Sequence, residues 1–238
     1  IPPFLTEYPL NIISLKKQNI YLDYLKSCNN LKIDPSSFNS TKCFYINNRL
    51  SSYFNKNIQL KRNILEIGGG LGGLAITLIK NNNINKYLIV DFPEMLLHSS
   101  ICLNHFFPDK DFFFVNANTT FEKEGIYFVP VYNIHYIPSS FINISLNIDS
   151  FQEMSSDQIK NYIDLIQRVS VDGAIFTNIN RRKYLDIENF DNNPLLYPYF
   201  KSNKILTWET DDFFDQTSNL LKFRKDPWII REEMINKS

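Results

Sequence analysis

The chain of 238 residues holds seven glycines, and five of them stand at Gly68, Gly69, Gly70, Gly72 and Gly73. Glycine gives up more conformational entropy on folding than any other residue, so this concentration needs a local cause. The cluster follows ILEI (Ile64 to Ile67), an apolar run that reads as a buried strand. It precedes a helical pattern from Gly72 to Lys80. A strand-to-helix turn of this kind lets backbone N–H groups approach a ligand, which is how proteins cradle nucleotides and nucleosides. A tight turn with no ligand is the plainer account. Two acids flank the turn. Asp91 ends a second strand, YLIVD (Tyr87 to Asp91), where a carboxylate can accept hydrogen bonds from both ribose hydroxyls. Glu66 sits among Ile64, Leu65 and Ile67, a costly place for a carboxylate unless it finds hydrogen-bond partners.

The stretch from Glu66 to Gly73 satisfies two ligand patterns at once. Gly68, Gly70 and Gly73 fit the dinucleotide form G-x-G-x-x-G, whereas Glu66, Gly68, Gly70 and Gly72 fit the E-x-G-x-G-x-G form of class I methyltransferases. Asp91 suits either nucleoside. Glu66 separates them: an anionic pyrophosphate gains nothing from a neighbouring carboxylate, while the ammonium of a methionine moiety does. The reading therefore favours S-adenosylmethionine, with a nicotinamide-dependent oxidoreductase as the alternative. Gly69, Phe92, Asn116 and Asn147 join Glu66, Gly68, Gly70, Gly72 and Asp91 as candidate cofactor-binding residues. Asn116, with Asn118, follows the strand candidate FFFV (Phe112 to Val115), where adenine lies in such folds.

Methyl transfer from a sulfonium is an in-line displacement that requires alignment of the acceptor, exclusion of water and removal of a proton. Ligands of open α/β sheets bind outside the carboxyl ends of the strands, so Asn147 to Met154 (NIDSFQEM) faces the reacting methyl. Asp149 and Glu153 are candidate general bases; their plainer roles are a turn and an approach to the next helix. His135, in VYNIHYIP, is the third candidate, since a neutral imidazole accepts a proton near pH 7. A packed histidine among aromatics is its plainer reading. His98 and His105 read as structural. Arg181, Arg182 and Lys183 could grip a phosphate or acidic sugar, or form a solvated basic turn. Tyr45, Arg49 and Tyr53 could close over the cofactor. No His, Cys and carboxylate spacing fits a tightly held zinc, and no residue is assigned as a metal ligand. Magnesium is retained as an optional second cofactor, with oxygen ligands drawn from distant strand ends.

From Asn63 onward strand and helix patterns alternate. After YLIVD comes a helix from Glu94 to Phe107 that stops at Pro108, then FFFV, then INISLNI (Ile142 to Ile148). Ser155 to Val169 opens on a Ser-Ser-Asp cap and carries Ile159, Ile163 and Ile166 at helical spacing. AIFTNI (Ala174 to Ile179), KILTW, LLKF and WIIR are further strand candidates. Strands joined by helical crossovers imply an α/β fold, a mostly parallel sheet with helices on both faces. Residues 1–60 read as an N-terminal helical cap and 61–238 as the cofactor-binding domain.

LEIGGGLGGLA, LIVDFPEML and NIDSFQEMSSDQIKNYI together resemble the bacterial sugar O-methyltransferase family, over roughly Asn63 to Asn180. Members show EIGGGYGG, DLPE and a D-S-x-x-E-M block in this order; here Leu71 replaces a frequent aromatic and Phe92 a common leucine. The resemblance implies a class I, Rossmann-like methyltransferase fold with a mostly parallel seven-stranded sheet. It further implies S-adenosylmethionine as methyl donor and a hydroxyl of a sugar or glycoconjugate as acceptor, in capsule, O-antigen or glycosylated metabolite biosynthesis. A non-catalytic nucleoside-binding subunit with this fold is the alternative from another class.

The 25 basic and 25 acidic residues balance, which gives no electrostatic case for nucleic acid as partner. Three cysteines, Cys28, Cys43 and Cys102, make no disulfide framework and point to a reducing cytoplasm. No apolar run is long enough to span a bilayer. The oligomeric state is left open.

Overall fold

The computed structural model of the protein describes residues 21–31, 38–55, 60–182, 193–211, 213–214 and 227–237. They divide into two compact units. One gathers the described residues of 1–60, 73–83 and 211–225; the other gathers those of 61–72, 84–210 and 226–238.

The second unit is built on one sheet. Its strands are β1 (Arg62–Ile67), β2 (Ile84–Asp91), β3 (Phe112–Phe114), β4 (Gly125–Pro130), β5 (Ile142–Ile148), β6 (Ser170–Arg181), β7 (Lys204–Thr210) and β8 (Trp228–Met234). Their order is β3-β4-β2-β1-β5-β6-β8-β7, parallel from β3 to β6, with β8 antiparallel to both its neighbours. The central strands are almost wholly buried, which is why they read as continuous apolar runs rather than as alternating patterns.

Among the described residues the sheet has eight strands where seven were expected. GIYFVP forms β4 and pairs directly with β2, in register from Lys86 with Gly125 to Asp91 with Pro130. FFF is pushed outward and becomes a three-residue edge strand on β4. KILTW and WIIR fall within β7 and β8, while LLKF lies outside the described residues.

Two α-helices among the described residues belong to this unit. The first runs Pro93–Phe106 with proline at its first turn, and the second runs Ser156–Val169. Ser155 caps the second: its side chain accepts the Gln158 N–H, and the Gln158 side chain accepts the Ser155 N–H in return. Ile159, Ile163 and Ile166 lie on its buried face, in one core with Leu65, Ile67 and Val90 from the sheet.

The first unit contains helices Tyr21–Leu31, Phe38–Asn55 and Gly73–Asn81. Within it the Tyr45 hydroxyl donates to Asp211 Oδ2 at 2.7 Å, and the Tyr45 ring stacks on Phe213 at 4.3 Å. Burial pushes the Tyr45 phenol far above its ordinary pKa and raises Asp211 as well, so the pair is held as a neutral donor and its acceptor. Arg49 donates to the same Tyr45 oxygen at 3.3 Å. Among the described residues no helix is long and apolar enough to cross a membrane.

Candidate functional site

The chain enters the sheet at its centre on β1 and builds outward through β2 to β4 and β3. It then returns to place β5 on the other side of β1. Where neighbouring strands send their connections in opposite directions, a crevice opens at the carboxyl ends. Here the loop after β1 meets the turn after β5. A Cβ added to Gly68 would stand 2.0 Å from Ser150 Oγ, so only a residue without a side chain permits this approach. Gly68 also has φ +76 and Gly70 φ +54, conformations that other residues adopt at a cost.

A cavity of about 390 Å³ occupies this crevice, a volume suited to a small-molecule ligand. Of the residues singled out in the sequence, Gly68, Gly70, Asp91, Phe92, Asp149 and Glu153 line it. Asp91 Oδ2 accepts the Gly70 N–H at 3.0 Å and Oδ1 the Phe92 N–H at 2.8 Å. Burial raises the Asp91 pKa above the ordinary carboxylate value, and these two backbone donors offset part of that rise. Nothing stands within 4 Å of where a Gly70 Cβ would be, so the loop is open at that point.

The turn after β5 is unusual in its backbone. Asp149 has φ +64, and its N–H donates to Ile179 O at 2.8 Å. Its Oδ1 accepts from Gln152 Nε2. Glu153 is on the cavity wall but exposed.

The other expected residues sit elsewhere. Glu66 lies beneath the glycine loop: Tyr87 donates its hydroxyl to Oε2 at 2.8 Å, and a Gly69 Cβ would come within 3.2 Å of the same oxygen. Gly72 packs under Leu103. Asn147 is fully buried, its Nδ2 donating to Ile67 O at 3.0 Å and its Oδ1 accepting from Phe151 N–H and Asn180 Nδ2. Asn116 forms a local turn, its Oδ1 accepting the Asn118 N–H at 2.9 Å, and does not line the cavity. His135 is exposed against the Tyr136 ring and is likewise off the lining, although Val131 at the start of the same short turn is on it. The Arg181 guanidinium lies over the Trp228 ring at 4.7 Å; Lys183 is outside the described residues.

Sequence reasoning missed Tyr162 and Gln158, which reach the cavity from the helix after β5. Their spacing of four residues, on a helix with a strong apolar face, was a readable signal. Burial, and then the charge of Asp91, push the Tyr162 phenol up to about 12, so it stays a proton donor throughout the physiological range. Of the described lining residues, Asp91, Asp149 and Glu153 are carboxylates and none is Lys, Arg or His. Among the described residues no group of three or more His, Cys, Asp or Glu is gathered as a metal site.

A mostly parallel sheet with one antiparallel strand near its edge and a glycine crevice at the switch point is a mixed α/β, Rossmann-like architecture. Solved structures share this fold, methyltransferases among them. One is a protein assigned as a sarcosine dimethylglycine methyltransferase from Galdieria sulphuraria, with TM-score 0.58 and 11% identity over 81% of this chain and 86% of that one. A geranyl diphosphate methyltransferase in complex with GPP and sinefungin gives TM-score 0.52 and 8% identity, over 79% and 77% of the two chains. The cyclase SpnF gives TM-score 0.53 and 13% identity, over 80% and 81%. No protein-family model and no curated protein sequence matches the chain.

Proposed function

We propose that the protein is an S-adenosylmethionine-dependent methyltransferase that methylates a hydroxyl oxygen of a sugar or sugar-linked polar acceptor. One observation carries the cofactor reading. Among the described residues, the lining of the switch-point cavity presents three carboxylates and no cationic side chain. Such a lining favours a ligand bearing a sulfonium and an ammonium, and disfavours the pyrophosphate of a nicotinamide dinucleotide. The fold neighbours bear on this in the same direction, since two of the three compared are methyltransferases.

The residues present fit such a ligand. A carboxylate has about four lone-pair positions, and Asp91 devotes two hydrogen bonds to the backbone, which leaves it capacity for ribose hydroxyls. Gly70 lets the loop backbone lie against the ligand. Phe92 and Met95 supply apolar wall for a purine. When bound, S-adenosylmethionine supplies an electrophilic methyl group. Asp149, on the same cavity wall, accepts the proton of the acceptor hydroxyl at its carboxylate, with Glu153 as the second candidate. The sugar acceptor rests on the three sequence blocks that resemble the sugar O-methyltransferases. A lining without cations is compatible with an uncharged hydroxyl rather than an acidic sugar.

Calorimetry with S-adenosylhomocysteine tests the cofactor: saturable binding in the micromolar to millimolar range is expected. Saturable NADH binding without it would overturn the reading. A panel of sugar and nucleotide-sugar acceptors then tests the transfer. Asp149→Asn is expected to keep S-adenosylhomocysteine binding and to lower turnover by roughly 10²–10⁴-fold, the usual contribution of a general base. If Asp149→Asn and Glu153→Gln both turn over like wild type, neither is the base.

A further inference from the structure

Gln152 is buried in the turn that carries Asp149, with 1% of its surface exposed. The two ends of its carboxamide are fixed by what they meet. The Arg181 backbone N–H can only donate, so the Gln152 atom 2.8 Å from it is Oε1. The opposite end, Nε2, therefore points its protons at Asp149 Oδ1. Two further buried carboxamides hold the turn from beneath. Asn180 Oδ1 accepts the Gln152 N–H at 3.1 Å, and Asn147 Oδ1 accepts the Phe151 N–H at 3.1 Å. Asn180 Nδ2 donates to Asn147 Oδ1 at 2.8 Å and so joins the pair. Backbone donors thus set the direction of the Gln152, Asn180 and Asn147 carboxamides.

A non-glycine residue in the left-handed region persists only where its surroundings over-determine it, and such strain gathers at functional positions. Asp149 is in that conformation, held by Ile179 O through its N–H and by Gln152 through its side chain. Satisfying the Arg181 N–H alone would need an acceptor. It would not need a donor aimed at a carboxylate on the cavity wall.

We propose that Gln152 is a positioning residue: its carboxamide, oriented by the Arg181 N–H, holds the Asp149 carboxylate ionised and turned to the cavity as the site's proton acceptor. What Asp149 does there rests on the methyl-transfer reading; the coupling of the two side chains does not.

The coupling is measurable without an acceptor. The whole protein is labelled with ¹³C at aspartate carboxyls and ¹⁵N at glutamine side chains, with Asp149 and Gln152 assigned by signals lost in Asp149→Asn and Gln152→Leu. The other titratable groups around the cavity are Asp91 on β2, Glu153 in the turn and Tyr162 on the helix after β5, with Arg181 on β6 beside the turn. Asp91 and Glu153 are therefore separated by Asp91→Asn and Glu153→Gln controls. In the wild-type protein the Gln152 side-chain amide should shift with the same midpoint as the Asp149 carboxyl. In Gln152→Glu, which keeps the acceptor for Arg181 but replaces the donor with a second carboxyl, the Asp149 midpoint should rise by about one pH unit or more. In Gln152→Leu the rise should be smaller.

A Gln152 amide indifferent to the Asp149 titration overturns the proposal; both midpoints are read in the wild-type protein, where through-bond correlations to the backbone give the two assignments should a variant fail to fold. An unmoved midpoint in folded Gln152→Glu overturns it equally. S-adenosylhomocysteine binding is followed by calorimetry on the same wild-type sample. Its absence sinks the cofactor reading and leaves the side-chain coupling to be judged by the titration alone.

Discussion

Asp91 sets two requirements against each other. Partial burial costs the ionised carboxylate hydration, and the Gly70 and Phe92 N–H groups return only part of it, so its pKa stays above the ordinary value. An acid with a raised folded pKa binds protons more tightly in the native state than in the unfolded one. Its contribution to stability is therefore complete below the unfolded pKa and is lost as pH rises through the folded pKa. At neutral pH the charge is a local burden on the fold. Asp91→Asn removes that burden but leaves one of the two backbone N–H groups facing an amide donor, so thermal stability at pH 7 should change little. The substitution should weaken S-adenosylhomocysteine at least tenfold, since hydrogen bonds to a charged acceptor contribute about 1.5–3 kcal/mol each. The wild-type affinity should fall as the medium is acidified through the raised Asp91 pKa, and Asp91→Asn should flatten that dependence. Calorimetry at several pH values and thermal melts check both parts. A variant that loses stability while keeping affinity would place Asp91 in the fold and not in the site.

At the scale of elements, the loop after β1 separates two kinds of glycine. At Gly68 a methyl group meets Ser150 Oγ, and φ is +76; at Gly70 φ is +54 but the space is open. Gly68→Ala should therefore cost roughly 2–4 kcal/mol, from the left-handed backbone and the collision together. The double variant with Ser150→Gly should recover the collision part. Gly70→Ala should cost only about 1–2 kcal/mol, the backbone share, while its methyl group faces the cavity and weakens S-adenosylhomocysteine. Denaturant melts and calorimetry on the three variants would expose an error in either assignment.

These elements were unequally legible in the sequence. ILEI, YLIVD and INISLNI are long apolar runs buried on both faces, and the capping box at Ser155 and Gln158 announces its helix directly. GIYFVP was hidden by its glycine and proline ends, which punctuate short strands as turns. The glycine loop, Asp91 and Asp149 could be found because each follows an apolar run. Asn180 and Gln152 could not, because their partners come from sheet register and a turn, separated by 28 residues in sequence. Asn147 shows the converse. Its position at a strand end suggested ligand contact, yet its amide bonds to the Ile67 carbonyl, the Phe151 N–H and the Asn180 carboxamide.

At the scale of the whole molecule, every described residue lining the cavity belongs to the sheet-bearing unit. The central strands of that unit are buried on both faces, so the loops at their carboxyl ends are carried by a rigid frame. A ligand held there has a defined energetic signature. Anything that binds the native state alone stabilises it by about 2.7 kcal/mol at a hundredfold excess over Kd. For a chain of this length that corresponds to roughly 5–10 °C in Tm. S-adenosylhomocysteine should produce this rise, and NADH at the same concentration should not, because the described lining carries three carboxylates and no cation. Two units allow two transitions, so the melt is followed by far-UV circular dichroism and by amide hydrogen exchange together. Exchange should slow at Gly68 to Gly72, at Asp91 and Phe92, and across Asp149 to Met154, the three segments that close on the crevice. A Tm rise without slowing at these segments would mean that the nucleoside binds elsewhere, and the switch-point cavity would lose its claim to be the cofactor site.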